Sequence, residues 1–305
     1  MLYYALQRLG VAILVALTVS LLTFSMIYLS GDPALALAGE SATEEDIEQI
    51  REAYGYDRPI PVQYGDWLWS AVHGELGESH YLRSDVATVI SERLPRTMIL
   101  GASALGFALA LSIPLGVIAA IRPNSFVDRI ALTVAVVGQA MPSFFFGLLL
   151  IMWLGISWEW LPISGTDSWL NFIMPSIALG YYTTPAVMRL TRAGMLEVLS
   201  SDYIRTARAK GLRPPRVLFK HALRNAVIPV VSVSAVQFGF MLGGSIVIES
   251  VFNINGLGLL AWQSIQRADL PMMQAVVLVL SLFYIVLTFV ADMLNAFLDP
   301  RIRVT

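Results

Sequence analysis

The residues with the most concentrated chemistry lie near the middle of the chain. DYIRTARAKGLRPPRVLFKHALRN, residues 202–225, carries Arg205, Arg208, Lys210, Arg213, Arg216, Lys220 and Arg224 against one acid, Asp202. Such a set does no covalent chemistry. It offers charge and hydrogen-bond donors to a partner surface. Elsewhere, reactive groups are sparse. There is no cysteine, so disulfides, thiolate metal sites and thiol nucleophiles are excluded. Neither lysine belongs to a phosphate-binding Gly-x-x-x-x-Gly-Lys-[Ser/Thr] loop, because Lys210 is followed by Gly211 and Lys220 by His221. No His-Glu-x-x-His or Gly-x-Ser-x-Gly motif occurs, so neither catalytic residues nor a metal centre is expected. Among the polar groups that fall within apolar runs, Gln139, Gln237 and Asp292 are the candidates. An ionisable residue at membrane depth is a functional candidate. For Asp292 the competing reading is a structural bond near a helix end, to a neighbouring helix or to Arg301 or Arg303.

These groups need a scaffold, and the composition says which. Of 305 residues, 56% are hydrophobic and only 14% charged, and the mean hydropathy is +0.68. Soluble domains carry about a quarter charged residues, so the chain reads as an integral membrane protein. Spanning helices need about 20 apolar residues. Six runs qualify: 9–29, 98–121, 130–154, 172–188, 227–248 and 273–298. Lipid offers no partner to backbone amides, so each run must be helical. The fold class is therefore all-α, with six transmembrane helices. The first run also resembles a signal peptide with small residues at 35–38, but its apolar core exceeds the usual 7–15 residues, and it is read as an uncleaved span.

Lysine and arginine set the orientation. With the N-terminus inside, fourteen basic residues fall on the inner side and six on the outer, five of those six in one long loop. Both termini are expected in the cytoplasm. Residues 31–96 then form an external cap with thirteen acids, in which Thr-Glu-Glu-Asp at 43–46 marks a helix start. The cap either lies on the membrane with its aromatics at the interface or docks an external partner. The division is 1–30 as N-terminal segment and first span, 31–96 as cap, and 97–305 as core with a cytoplasmic loop at 189–224.

The basic stretch is punctuated as two helices. Ser200, Ser201 and Asp202 are N-cap types. Gly211 suits a left-handed helix close, and Pro214 and Pro215 suit a first helical turn. Val217, Leu218, His221 and Ala222 share one face of the second arm. A loop serving only as a topology signal, or touching anionic lipid, needs the arginines but not this frame.

Here the residues resemble a known family. The stretch is similar to the cytoplasmic loop of ABC importer permeases, which pairs a Glu-Ala-Ala motif and a glycine with a later Ile-x-Leu-Pro motif. Gly211 matches the glycine, Ala207 the second alanine and Leu223 the leucine, with His221 at the isoleucine position. Arg205, Thr206 and Arg224 depart from the pattern, but 205–211 followed by 221–226 resembles the version in dipeptide, oligopeptide, nickel and glutathione permeases. Gly-Asp-Pro at 31–33, 57–64, 74–77, 92–97, 252–258 and 299–303 also resemble that branch.

The resemblance implies a type I ABC importer fold in the bacterial inner membrane, carrying peptides or similar small solutes. It implies that Arg205, Thr206, Ala207, Arg208, Lys210, Gly211, Leu212 and Leu223 couple the chain to an ATPase. The implied partners are a second, usually paralogous, permease subunit, two cytoplasmic ATPases, an external substrate-binding protein and membrane lipid, with no nucleic acid. ATP and Mg would be held by the partners, with no cofactor in this chain. Segment 251–271 is too polar to span. Its turn at Asn253, Asn255, Gly256 and Gly258 is implied to be an outer gate loop, with Gln139, Gln237 and Asp292 as candidates for the substrate path. An ion-gradient-driven transporter or channel is the alternative class. It would call for internal repeats or coupling acids within the bilayer.

Overall fold

The structure, a computed structural model, describes residues 2–29, 31–38 and 42–298. The predicted contributions of Arg301, Arg303 and the 299–303 motif lie outside the described residues. Among the described residues every regular element is helical, apart from an isolated bridge between Glu78 and Asp85. Four helices are long and apolar enough to cross a membrane: α1 (Leu2–Leu29), α5 (Val86–Ile121), α12 (Ile228–Val251) and α14 (Leu270–Leu298). They match four of the six apolar runs. At 1.5 Å per residue, even the 24 residues of α12 exceed a hydrocarbon core of about 30 Å.

The other two runs are broken rather than continuous. Run 130–154 is α6 (Phe126–Ala140) and α7 (Ser143–Leu150), separated at Met141 and Pro142, and then a π-helical continuation, Ile151–Ser157. Run 172–188 is a 3₁₀ turn (Trp169–Phe172), α8 (Ile173–Tyr181) and α9 (Thr184–Leu199), with the break at Tyr182 and Thr183. The cause is local. Met141 is extended, as residues before proline prefer, and Pro185 occupies the first turn of α9, where its missing N–H costs nothing.

Helix α5 is the hub, packing against α6, α8, α9 and α12, while α14 packs against α1 and α12. Lipid is as apolar as leucine, so helices associate in membranes by close packing. Small residues permit it here. A side chain on Gly180 would strike the Ala104 carbonyl, and one on Gly116 would meet Thr191 Cβ at 2.7 Å. Of Gly239 and Gly243, a small-xxx-small pair, only Gly239 does this work, lying against the Tyr284 ring; Gly243 has no neighbour within reach of a Cβ. A two-pronged ion pair ties α6 to α9: Arg192 Nε and Nη2 donate to Asp128 Oδ1 and Oδ2 at 2.8 and 2.6 Å.

The cap comprises α2 (Pro33–Ala38), α3 (Glu44–Tyr54) and α4 (Ile60–Val72). Helix α3 starts where predicted, where the structure adds a Thr43–Asp46 capping box, and closes at Gly55 with φ +70°. Part of the aromatic set turns inward: Phe24 of α1 meets Tyr64 of α4 edge-on and packs tilted against Trp67, and Ser20 hydrogen-bonds Tyr64 at 2.8 Å. Trp69 and Tyr54 stay exposed. Helix α5 begins at Val86, so its first turns belong to the stretch assigned to the cap.

Candidate coupling hairpin and gate

The basic hairpin consists of α10 (Asp202–Ala209), the Gly211 turn, a π-helical arm Arg216–Leu223 and a short α11 (Arg224–Ala226). Ser201, extended at ψ 155°, precedes α10, but its hydroxyl donates back to the Val198 carbonyl rather than capping the new helix. The turn is a Schellman close. Gly211 takes φ +76°, its N–H donates to the Arg208 carbonyl at 2.9 Å, and the Leu212 N–H donates to the Ala207 carbonyl at 3.3 Å. Leu212 and Ala207 also join one apolar cluster, the contact that accompanies this motif.

That cluster roots the hairpin. Ile204, Ala207, Val217, Ala222 and Ala226 bury against Val117 and Ala120 of α5 and Met195 of α9. The π winding explains the second arm: Val217 and Ala222, five apart, fall on one buried face where an α-helix would separate them. The opposite face is free. Arg205, Thr206, Arg208, Lys210 and Gly211 are exposed, whereas Ala207 is buried and Leu212 and Leu223 half-buried. The eight motif residues thus divide into a presented surface and its footing. Nothing within the chain lies within 4 Å of a Cβ built on Gly211. A larger residue at this position would therefore meet no clash inside the chain.

At the opposite end of α12 the gate-loop residues assemble around Glu249. This carboxylate, at the end of an apolar run, is fully buried. Thr97 of α5 donates to its Oε1 at 2.8 Å and accepts from the Leu257 N–H at 2.8 Å; the Leu259 N–H donates to Oε2 at 3.0 Å. Leu257 and Leu259 open α13 (Leu257–Gln266), so an acid sits at a helix N-terminus, where unpaired amides and the helix dipole favour it. A side chain on Gly256 would strike the Glu249 carboxylate, and one on Gly258 would meet the Ile246 backbone at 2.6 Å. Arg96 donates to the Asn255 carbonyl at 3.3 Å. Asn253 takes φ +50°, a left-handed turn that asparagine tolerates. Helix α13 is packed into the bundle rather than lying on its surface, with Leu257, Leu259, Leu260 and Ala261 buried.

The path candidates do not come together. Gln237, near the middle of α12, lines a groove of about 460 Å³ with Ser143, Tyr182, Thr183 and Gly244. Both helix breaks open onto it, and irregular backbone at membrane depth is tolerated where it lines a cavity. Asp292 is elsewhere, 3.3 Å from Arg8 of α1. The side chain of Gln139 lies outside the described residues. Sequence reasoning missed Thr97, Arg96, Ser143, Tyr182 and Thr183. The polar Tyr-Tyr-Thr-Thr-Pro run at 181–185 was the available signal for the last two.

Comparison with known proteins points one way. The profile described as "Binding-protein-dependent transport system inner membrane component" matches residues 112–304, and its N-terminal companion matches residues 1–101. The chain is 42% identical to the glutathione transport system permease protein GsiC of Escherichia coli strain K12, over 99% of both chains. It is 41% identical, over the same shares, to the protein of that name from Pectobacterium atrosepticum. In fold it resembles the inward-facing MetNI methionine ABC transporter, with TM-score 0.57 at 18% identity, over 69% of this chain and 96% of that one.

Proposed function

The chain belongs to the family of binding-protein-dependent transport system inner membrane components and is a permease subunit of an ABC importer; from that premise we propose that its cargo is a short peptide or similar small solute and that residues 202–225 receive the force of ATP hydrolysis. Family membership decides against the gradient-driven alternative. The 42% identity to glutathione permeases supports the cargo class. The observation that carries the coupling role is the division of the hairpin: five exposed motif residues on a helix and its closing turn, the helix's other face bolted to α5 and α9. A rigid, rooted helix transmits a push, and alternating access needs packed elements with two stable arrangements.

On this reading the ATP and Mg belong to two partner ATPases, and this chain supplies no nucleotide site. A second permease subunit, usually a paralogue, completes the pore, and an external binding protein delivers cargo to the cap side. Both termini and the hairpin lie in the cytoplasm, while the cap and the Asn253–Gly258 loop lie outside. The groove at Gln237 is the proposed path element, flanked by two helix breaks that allow movement.

The absence of cysteine makes orientation directly measurable. In intact cells a membrane-impermeant maleimide is expected to label Glu48→Cys and to leave Arg208→Cys unlabelled until the membrane is opened. The reverse pattern would invert the scheme. In vesicles, uptake should require the ATPases and the loaded binding protein, and uptake without nucleotide would refute the proposal.

Asp292→Asn is expected to change the uptake rate by less than about twofold, because a partly exposed ion pair contributes about 0–1 kcal/mol. An order-of-magnitude loss in that assay would restore Asp292 to the path.

A further inference from the structure

Two buried side-chain atoms among the described residues have no hydrogen-bond partner: Arg93 Nη1 and Gln274 Nε2. Gln274 is only 4% exposed and lies in the first turns of α14. Buried amide donors are almost always paired, and an exception asks what completes it. Gln274 lines a cavity of about 690 Å³ between the cap and the start of α14, inside the range of roughly 300–1,000 Å³ for small-molecule sites.

The other walls are chemically mixed. Tyr54, Tyr56 and Trp67 supply aromatic faces, and Glu75, Glu78 and Arg83 supply free charges. Arg58 and Asp66 also line the cavity but neutralise one another at 2.8 Å. Burial pushes the Tyr56 phenol above its ordinary range. The charged loop is held firmly. The Ser79 N–H donates to the Ser84 carbonyl at 2.9 Å and the Val86 N–H to the Gly77 carbonyl at 3.0 Å. The Ser79 hydroxyl donates to Asp269, just ahead of α14. Arg83 takes φ +49°, a left-handed conformation uncommon outside glycine, secured by its N–H on the Ser79 carbonyl at 2.9 Å. Strain of this kind persists only where the surroundings over-determine it, and it clusters at ligand sites.

We propose that this cavity binds a short zwitterionic peptide, at a site distinct from the mid-depth groove at Gln237. The ammonium group faces Glu75 and Glu78, a backbone carbonyl accepts from Gln274 Nε2, and the carboxylate lies by Arg83. Peptide side chains rest on Tyr54, Tyr56 and Trp67. A simple amine would leave Arg83 idle and a simple acid would be repelled by the two glutamates, whereas a peptide uses both signs and the amide donor. The inference rests on the reading above that the cap end faces outward and the cargo is peptidic.

The test is calorimetric titration of trialanine onto the purified permease–ATPase complex without its binding protein. Saturable binding is expected. N-acetylation of the peptide should weaken it at least about tenfold, as should Gln274→Met and the double variant Glu75→Gln/Glu78→Gln. The double variant alters only exposed side chains, so it keeps the test valid if Gln274→Met fails to assemble. Equal binding of trialanine and its N-acetyl form, no saturable binding, or undiminished binding by the double variant each overturns the site. Binding-protein-dependent uptake by the same preparation separates the two readings. Uptake without trialanine binding sinks this site alone, whereas nucleotide-independent uptake sinks the importer scheme.

Discussion

The Gly211→Asp protein is expected to reach the membrane and assemble with its partners, yet to import cargo at least about tenfold more slowly per ATP hydrolysed. The argument turns on where the added side chain can do harm. Within this chain the space around position 211 is open, so no internal contact is lost. The backbone at φ +76° costs an ordinary L-residue about 1–2 kcal/mol, and less for Asn or Asp, which tolerate the left-handed region. That is small beside a net stability of about 5–15 kcal/mol. A large transport defect must therefore arise outside the chain, on the surface that the hairpin tip meets. A series separates the causes. Gly211→Asn adds volume with little strain, and Gly211→Ala adds strain with little volume. If uptake falls more in Gly211→Asn, the tip is a close contact with the motor. If it falls more in Gly211→Ala, the turn geometry itself is what matters. Wild-type uptake by Gly211→Asp would end the coupling role of this turn.

Removing the carboxylate at position 249 is expected to give the largest stability loss. In Glu249→Ala the Leu259 amide and the Thr97 hydroxyl lose their buried acceptor, each unpaired group costing about 1–3 kcal/mol. The cavity left by the side chain adds to this. The expected loss is about 2–6 kcal/mol, the sum for two buried neutral groups left unpaired, read as a fall in the unfolding midpoint of the purified complex. Glu249→Gln keeps one oxygen acceptor in the same place and should lose less than half as much. Gly256→Ala tests the same contact from the other side, because its new methyl meets the carboxylate, and it should lower the midpoint while leaving Glu249 in place. Equal midpoints for Glu249→Ala and wild type would show that the gate loop is held by something else.

Much of this protein could be read along the chain. Apolar runs of spanning length located four continuous helices and the two broken ones. The helix start at 43–46, the Gly211 close and the prolines at 214 and 215 landed as expected because each is a local free-energy preference of a few residues. The same holds for the turn before α13. Val217 and Ala222 of the second hairpin arm likewise share the face that their spacing predicts, both buried there.

The tertiary structure decided everything that depends on what a distant segment supplies. Thr97 and Glu249 stand 152 positions apart and meet at 2.8 Å. Arg8 claims Asp292, and Gln274 Nε2 is left without a partner beneath a cap drawn from residues far upstream. Nothing in the local pattern marks these pairings. Inside a membrane a helix face turned to lipid and one turned to protein are both apolar, so hydropathy that finds a span cannot say which side of it is buried. Only the packing of α5 against its neighbours made Glu249 an interior residue and left the hairpin's charged face exposed.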